Sequence, residues 1–276
     1  MSDAATPAKS QPAIRFDHVK LTLGGSQIYD DLTFDVAEEE FVCLLGPSGC
    51  GKSTALRLAG GLLDMQEGSV TLGGQPPSAA WARTAFVFQN PRLLAWRNTL
   101  DNAAFGLQMR HPEISKIQRR AIAARELAHV GLADDQHKMP VMLSGGEKQR
   151  VAIARALALA PHIIFMDEPF SALDHTTRLR LRRQLVELWQ QTRKTIVFVT
   201  HDIDEALYLA DRIVVLSRKP TRVAENLTVT ASRPRDLEND AQLAQLKATL
   251  VDVFERISAG VSEPASHPFA EEGEFA

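Results

Sequence analysis

Gly46-Pro47-Ser48-Gly49-Cys50-Gly51-Lys52-Ser53-Thr54 is a run suited to holding phosphate. Its fixed positions satisfy G-x-x-x-x-G-K-[ST], and its neighbours supply the context that the pattern requires. Phe41 to Leu45, ahead of it, is an apolar run of buried-strand length, and Ala55 to Ala59, after it, reads as helix. Glycine permits backbone angles that turn successive N–H groups inward, and no side chain blocks the approach of phosphate. The helix that follows presents its positive end at the same place. Lys52 has the reach for β- and γ-phosphates, and the Ser53 hydroxyl is placed to ligate Mg²⁺. The loop specifies a nucleoside triphosphate and leaves the machine open.

Gln89, Asp167-Glu168 and His201 each directly follow an apolar strand, as the loop does. In an open α/β sheet, ligands gather outside the carboxyl ends of the strands. Four strands delivering polar groups to one edge is hard to explain as packing. Asp167 closes Ile163 to Met166, where a carboxylate can hold Mg²⁺ with Ser53 and Gln89. Glu168 is one residue on and is the candidate for polarising an attacking water. Gln89 can touch metal or water and sense the γ-phosphate. His201 can hydrogen-bond that phosphate and stabilise charge as it develops.

Leu143-Ser144-Gly145-Gly146-Glu147-Lys148-Gln149-Arg150 is a second glycine-rich loop opening a helix, and so a second anion site by the same physics. One chain has no obvious second phosphate for it. A two-fold dimer solves this, because each partner's loop can cap the other's nucleotide.

The elements that must carry these groups follow from periodicity. Ile14 to Leu23 and Ile28 to Val36 read as strands joined at Gly24-Gly25. Ser69 to Leu72 and Thr84 to Phe88 are short strands. From about 91 to 149 the pattern turns helical, with Leu100 to Met109 and Ser115 to Val130 at helical spacing. The charged face of the second stretch reads as a solvated surface. Glu147 to Ala158, Thr176 to Gln190 and Ile203 to Ala210 are helices. His162 to Met166, Thr195 to Thr200 and Ile213 to Leu216 are strands, the last closing the core. Alternating strands and helices imply a mostly parallel sheet covered on both faces. Leu237 to Ile257 is expected to form one terminal helix, between a loose N-terminus over 1–13 and an acidic tail from Ser262 to Ala276.

Composition sets outer bounds. The chain has 276 residues, 45% apolar and 24% charged, enough for a sizeable core. A net charge of −3 gives no global reason to expect nucleic acid or a membrane surface as partner. Two cysteines, Cys43 and Cys50, make no disulfide framework and fit a reducing compartment. Met1 to Pro12 lacks an apolar signal-peptide core, and no window of about 18 apolar residues occurs. The chain is therefore expected neither to cross a membrane nor to be exported by that route. Cys50, beside a helix start, is expected to carry an activated thiol.

Taken together, the phosphate loop, Gln89, Leu143 to Arg150, His162 to Pro169, Ser171-Ala172-Leu173-Asp174 and His201 resemble the ATP-binding cassette of ABC transporters, over roughly Ile14 to Arg222. The resemblance implies a P-loop α/β core with a mostly parallel sheet, an antiparallel β subdomain and a helical insertion. It divides the chain into a cassette at 14–225, holding a helical subdomain at about 91–149, and a C-terminal helix and tail at 226–276. It implies a head-to-tail homodimer with two ATP molecules and Mg²⁺ between phosphate loop and signature loop. Ser144, Gly145 and Gly146 would then touch the partner's nucleotide, Ser171 to Asp174 would communicate across the dimer, and Glu168 and His201 would be catalytic and switch residues.

A narrower likeness, in Leu93 to Asn98, Asp167 to Leu173 and Thr200 to Ala206, is to the nitrate, sulfonate and taurine importer group. It implies two copies of a separate permease and, through it, a solute-binding protein, with the chain peripheral on the cytoplasmic face of the membrane. The segment after Gln89 would dock the permease, with Trp96 and Phe105 as anchors or as core. An exporter ATPase and a non-transport ATPase of the family are the alternatives. There are two departures. Leu23 stands where the family stacks an aromatic residue on adenine, with Tyr29 out of register, and Glu147 stands where glutamine is commoner.

Overall fold

The computed structural model describes residues 11–171 and 173–259. β1 (Ile14–Leu23) and β2 (Ser26–Val36) form a hairpin whose turn residues Gly24 and Gly25 both have positive φ, 56° and 77°. That backbone is why two glycines sit there. β3 (Phe41–Leu45) is buried throughout and leads into α1 (Lys52–Ala59). β4 (Glu67–Leu72) pairs with the free edge of β1, giving an antiparallel sheet of order β2-β1-β4.

After the short α2 (Pro77–Ala80) comes β5 (Thr84–Val87). The chain then turns helical through α3 (Thr99–Ala103), α4 (Phe105–Arg110), α5 (Lys116–His129) and α6 (Gly145–Leu157). It returns to alternation with β6 (Ile163–Asp167), α7 (His175–Thr192), β7 (Thr195–Thr200), α8 (Ile203–Leu209) and β8 (Arg212–Leu216). β9 (Val223–Thr228) and α9 (Ala241–Ala259) complete it. The main sheet has order β5-β6-β7-β3-β8-β9, parallel except between β8 and β9.

Side chains alternate faces along a strand, so each central strand feeds two cores. Phe41, Cys43, Leu45, Met166 and Phe198 pack with the helical side; Val42, Leu44, Phe165 and Val199 pack against α1 and the antiparallel sheet. Near-continuous apolar runs are what a sheet covered on both faces requires.

Three expectations are corrected. The helix expected over Leu100 to Met109 is parted at Ala104; buried Asn102 donates its amide to the carbonyls of Leu94, Arg97 and Asn98, and Gly106 lies against Leu159. β8 is not the last strand: β9 pairs antiparallel with it and runs through the boundary expected at 225. Its alternation was masked because an edge strand with polar residues carries little apolar signal. Ala13 belongs to the fold, buried and with its carbonyl accepting from the Gly73 N–H, although 1–13 was expected to be loose. The expected acidic tail and positions 1–10 lie outside the described residues. α9 packs Leu243, Leu250 and Val253 into the helical-side core. Among the described residues, no helix is long and apolar enough to cross a membrane.

Candidate active site

The phosphate loop is gripped from several sides. Gly49 and Gly51 have φ of 77° and 109°, a region that side chains avoid. A Cβ on Gly46 would meet the Leu216 carbonyl at 2.8 Å, so β8 sets how close the loop can lie. Lys52 is buried, and its Nζ donates to the carbonyls of Gly46 (2.8 Å) and Pro47 (3.0 Å), spanning the loop's mouth. α1 opens at Lys52 without an acidic residue in its first turn, which leaves its positive end unopposed.

The neighbouring strand ends bring the other groups alongside. The Ser53 hydroxyl donates to Asp167 Oδ1 at 2.7 Å. Burial pushes the Asp167 carboxyl upward; the Ser53 hydroxyl pulls it down and the Glu168 charge adds to the rise. Glu168 has φ of +41°, an uncommon backbone for a non-glycine residue, and its N–H donates to the Val199 carbonyl on β7. That turn releases its side chain from the strand's alternation. Glu168 Oε2 accepts from the Gln89 amide at 3.4 Å and stands 3.4 Å from His201 Nδ1. The Ser171 hydroxyl donates to the Glu168 carbonyl and accepts a long bond from Gln89.

The ends of β5, β6, β7 and β3, adjacent in the sheet, thus converge on one edge. Gln89, Asp167, Glu168, His201, Lys52 and Ser53 are brought together. Ser144, Gly145 and Gly146 keep other company. Ser144 caps α6 in a reciprocal box with Glu147, whose carboxylate accepts from the Ser144 N–H at 2.7 Å. That bond holds the Glu147 carboxyl below its usual range and gives the unexpected glutamate a physical role. Gly146 lies against Leu173 and Thr177. Leu23, at the hairpin end of β1, is partly exposed at 38%.

The thiol differs from expectation, and of the two alternatives for Trp96 the core is excluded. Cys50 is buried, and burial raises its thiol despite the nearby Lys52 charge, so the expected activation is absent. Trp96 is 75% exposed and not part of the core; Phe105 carries the Arg97 guanidinium 4.9 Å above its ring.

Sequence reasoning missed the supports. Arg182 on α7 is buried and pairs with Asp202, the residue after His201, and with Glu205, both at 3.0 Å. Arg178, one turn earlier, donates to the Leu173 carbonyl. Two arginines four apart on an amphipathic helix were the available signal. From α6, Gln149 donates to the Phe88 carbonyl at 3.1 Å, and Arg155 donates to those of Pro91 (2.7 Å) and Arg92 (3.1 Å).

Ser53 and Asp167 are hard oxygen donors, with Gln89 bonded to the adjoining Glu168, and they suit Mg²⁺, which takes few protein ligands and completes its shell with phosphate and water. Among the described residues, no group of three or more His, Cys, Asp or Glu could hold a metal without such help.

The ABC transporter family model matches residues 29–171. The nitrate import ATP-binding protein of Synechococcus elongatus is 42% identical over 231 residues, 82% of this chain and 84% of that protein. The taurine import ATP-binding protein of Escherichia coli is 41% identical over 254 residues, 89% of this chain and 99% of that protein. Among solved structures, the dimeric post-hydrolysis state of the ATP-binding cassette MJ0796 bound to ADP and Pi matches with a TM-score of 0.72 and 31% identity, covering 79% of this chain and all of that one. With more than half its length matched and these identities across four-fifths of it, the chain belongs to the ABC transporter family, as an ATPase cassette.

Proposed function

We propose that the chain is the ATP-hydrolysing subunit of an importer for small solutes of the nitrate, sulfonate or taurine kind. It works as a head-to-tail homodimer enclosing two ATP molecules, bound to two copies of a separate permease that a solute-binding protein feeds. It sits peripherally on the cytoplasmic face. The observation that carries the reading is the placement of Glu168 between Gln89 and His201, beside the Ser53–Asp167 pair.

The inward N–H groups of the phosphate loop and Lys52 orient and neutralise the phosphates. Ser53, Asp167 and Gln89 would hold Mg²⁺, which would supply neutralisation of the phosphate charge. Glu168 orients a water for in-line attack on the γ-phosphorus and accepts its proton as the bond to ADP breaks. His201 donates toward the γ-phosphate and stabilises charge there. Ser144 and the N–H groups opening α6 address the partner's ATP. Closing around ATP and reopening after hydrolysis is a two-state change biased by a ligand shared between partners.

A mixing experiment tests the arrangement. Glu168→Gln and Ser144→Arg chains should each be inactive alone. Mixed, their heterodimer holds one site with an intact Glu168 and an intact facing loop, and ATPase activity should reappear. Activity that stays absent on mixing, with heterodimers shown to form, would refute the shared site. Stimulation of the intact transporter's ATPase by a loaded solute-binding protein would identify the solute.

A further inference from the structure

An anion nest places two demands on its backbone. Successive N–H groups must face the ligand, and the carbonyls of the same peptides must then face away and find donors. Here the carbonyls of Cys50 and Gly51 are met by side-chain hydroxyls from two different parts of the fold. The Tyr29 hydroxyl, on β2, donates to the Gly51 carbonyl at 2.5 Å. The Thr221 hydroxyl, between β8 and β9, donates to the Cys50 carbonyl.

The two donors are tied to each other. Tyr29 and Thr221 form an isolated parallel bridge, and the Thr221 N–H donates to the Ile28 carbonyl at 2.7 Å. Both residues are fully buried. The Tyr29 ring is also a wall: a Cβ at Gly51 would meet its Cε1 and its hydroxyl oxygen at 3.0 Å. Burial raises the Tyr29 phenol far above its usual range, so it stays a donor at every working pH. In sequence, Tyr29 is out of register for an aromatic residue stacking on adenine. Its ring and hydroxyl lie against Gly51 of the phosphate loop.

We propose that Tyr29 and Thr221 are positioning residues of the ATP site, a paired hydroxyl brace that fixes the Cys50 and Gly51 peptides with their carbonyls outward. The inference rests on the ATPase reading. It makes the antiparallel sheet and the β8–β9 connection joint owners of phosphate affinity. The Gly51 carbonyl also accepts from the Ala55 N–H at 2.9 Å, so removing the phenol hydroxyl leaves that oxygen satisfied and α1 intact. The loss should therefore fall on loop geometry more than on stability.

The test uses the full chain with Tyr29→Phe, Thr221→Val and Thr221→Ser. ATP affinity is measured by calorimetry, KM and kcat by phosphate release, and Tm by calorimetric scan. Tyr29→Phe and Thr221→Val should each raise Kd and KM for ATP about three- to tenfold, the scale of one hydrogen bond, with kcat changed less than about twofold. Thr221→Ser keeps the hydroxyl and should return KM to the wild-type value. Unchanged KM in both hydroxyl-deleted variants, whatever their Tm, overturns the proposal. If Tyr29→Phe fails to fold, the threonine pair decides alone: equal KM for the valine and serine variants overturns it, and a raised KM for valine only supports it. Failure of the wild-type chain to bind ATP would instead overturn the ATPase reading, before any variant is compared.

Discussion

Ser53 and Asp167 meet hydroxyl to carboxylate at 2.7 Å, joining the first turn of α1 to the end of β6. The bond crosses from the phosphate loop to the strand that carries Glu168. It places the two hard ligands suited to Mg²⁺ side by side in a buried setting where a carboxylate charge is unfavourable.

Asp167→Asn should therefore separate stability from function. Burial first, and the Glu168 charge after it, raise the Asp167 carboxyl in the folded chain; the Ser53 hydroxyl opposes them. A folded-state pKa above the unfolded one means that the folded chain binds the proton more tightly. Stability then falls as pH rises from the unfolded value, about 3.9, through the raised folded one, and the charge opposes folding at neutral pH. The amide still accepts from Ser53 and removes the charge. Tm should rise by about 1–3 °C at pH 7, the gain should vanish below about pH 4, and Mg²⁺-dependent turnover should be lost. A lower Tm at pH 7 would contradict this.

Glu168→Gln keeps the side chain's shape and its contact with Gln89, but it cannot take a proton. Turnover should fall by at least about a hundredfold, while ATP binding persists. Size-exclusion chromatography in excess ATP should then show an accumulated dimer. A variant that stays monomeric there counts against the sandwich.

Cys50 is a buried thiol raised by its surroundings. Iodoacetamide should modify it at neutral pH at least about tenfold more slowly than an exposed free thiol, and denaturant should remove the difference. Rapid alkylation of the native chain, blocked by ATP, would restore the expectation drawn from sequence.

Arg182→Met should be felt twice. Arg182 serves Asp202 and Glu205 from inside the protein, and Glu205 is itself buried. Losing one partner of a buried ion pair strands the other, so urea unfolding should show a loss of about 2–4 kcal/mol. Asp202 adjoins His201, so kcat should fall more than KM rises. A stability loss below about 1 kcal/mol would show that Arg178 and Thr200 suffice for Glu205.

What could be read from sequence divides along physical lines. Lys52, Ser53, Gln89, Asp167, Glu168 and His201 were legible because strand ends and loop spacing are local facts, and the sheet order places those ends side by side. β9 was hidden because an edge strand alternates weakly. The brace of Tyr29 and Thr221 was hidden for another reason: its partners are 22 and 171 residues away in sequence. The character of Cys50 was misjudged because a helix start suggests a lowered pKa, whereas burial among Gly46, Leu216 and the core decides it. Local pattern finds the groups that face a ligand; the groups behind them depend on tertiary closure.

Three donors on α6 grip the peptide backbone on both sides of Gln89, at Phe88, Pro91 and Arg92. Bonds of that kind tolerate only a few tenths of an ångström before they weaken. The helix capped by Ser144 is thus tied to that backbone. A displacement of that helix is therefore carried to the pocket as a pull on the Gln89 segment.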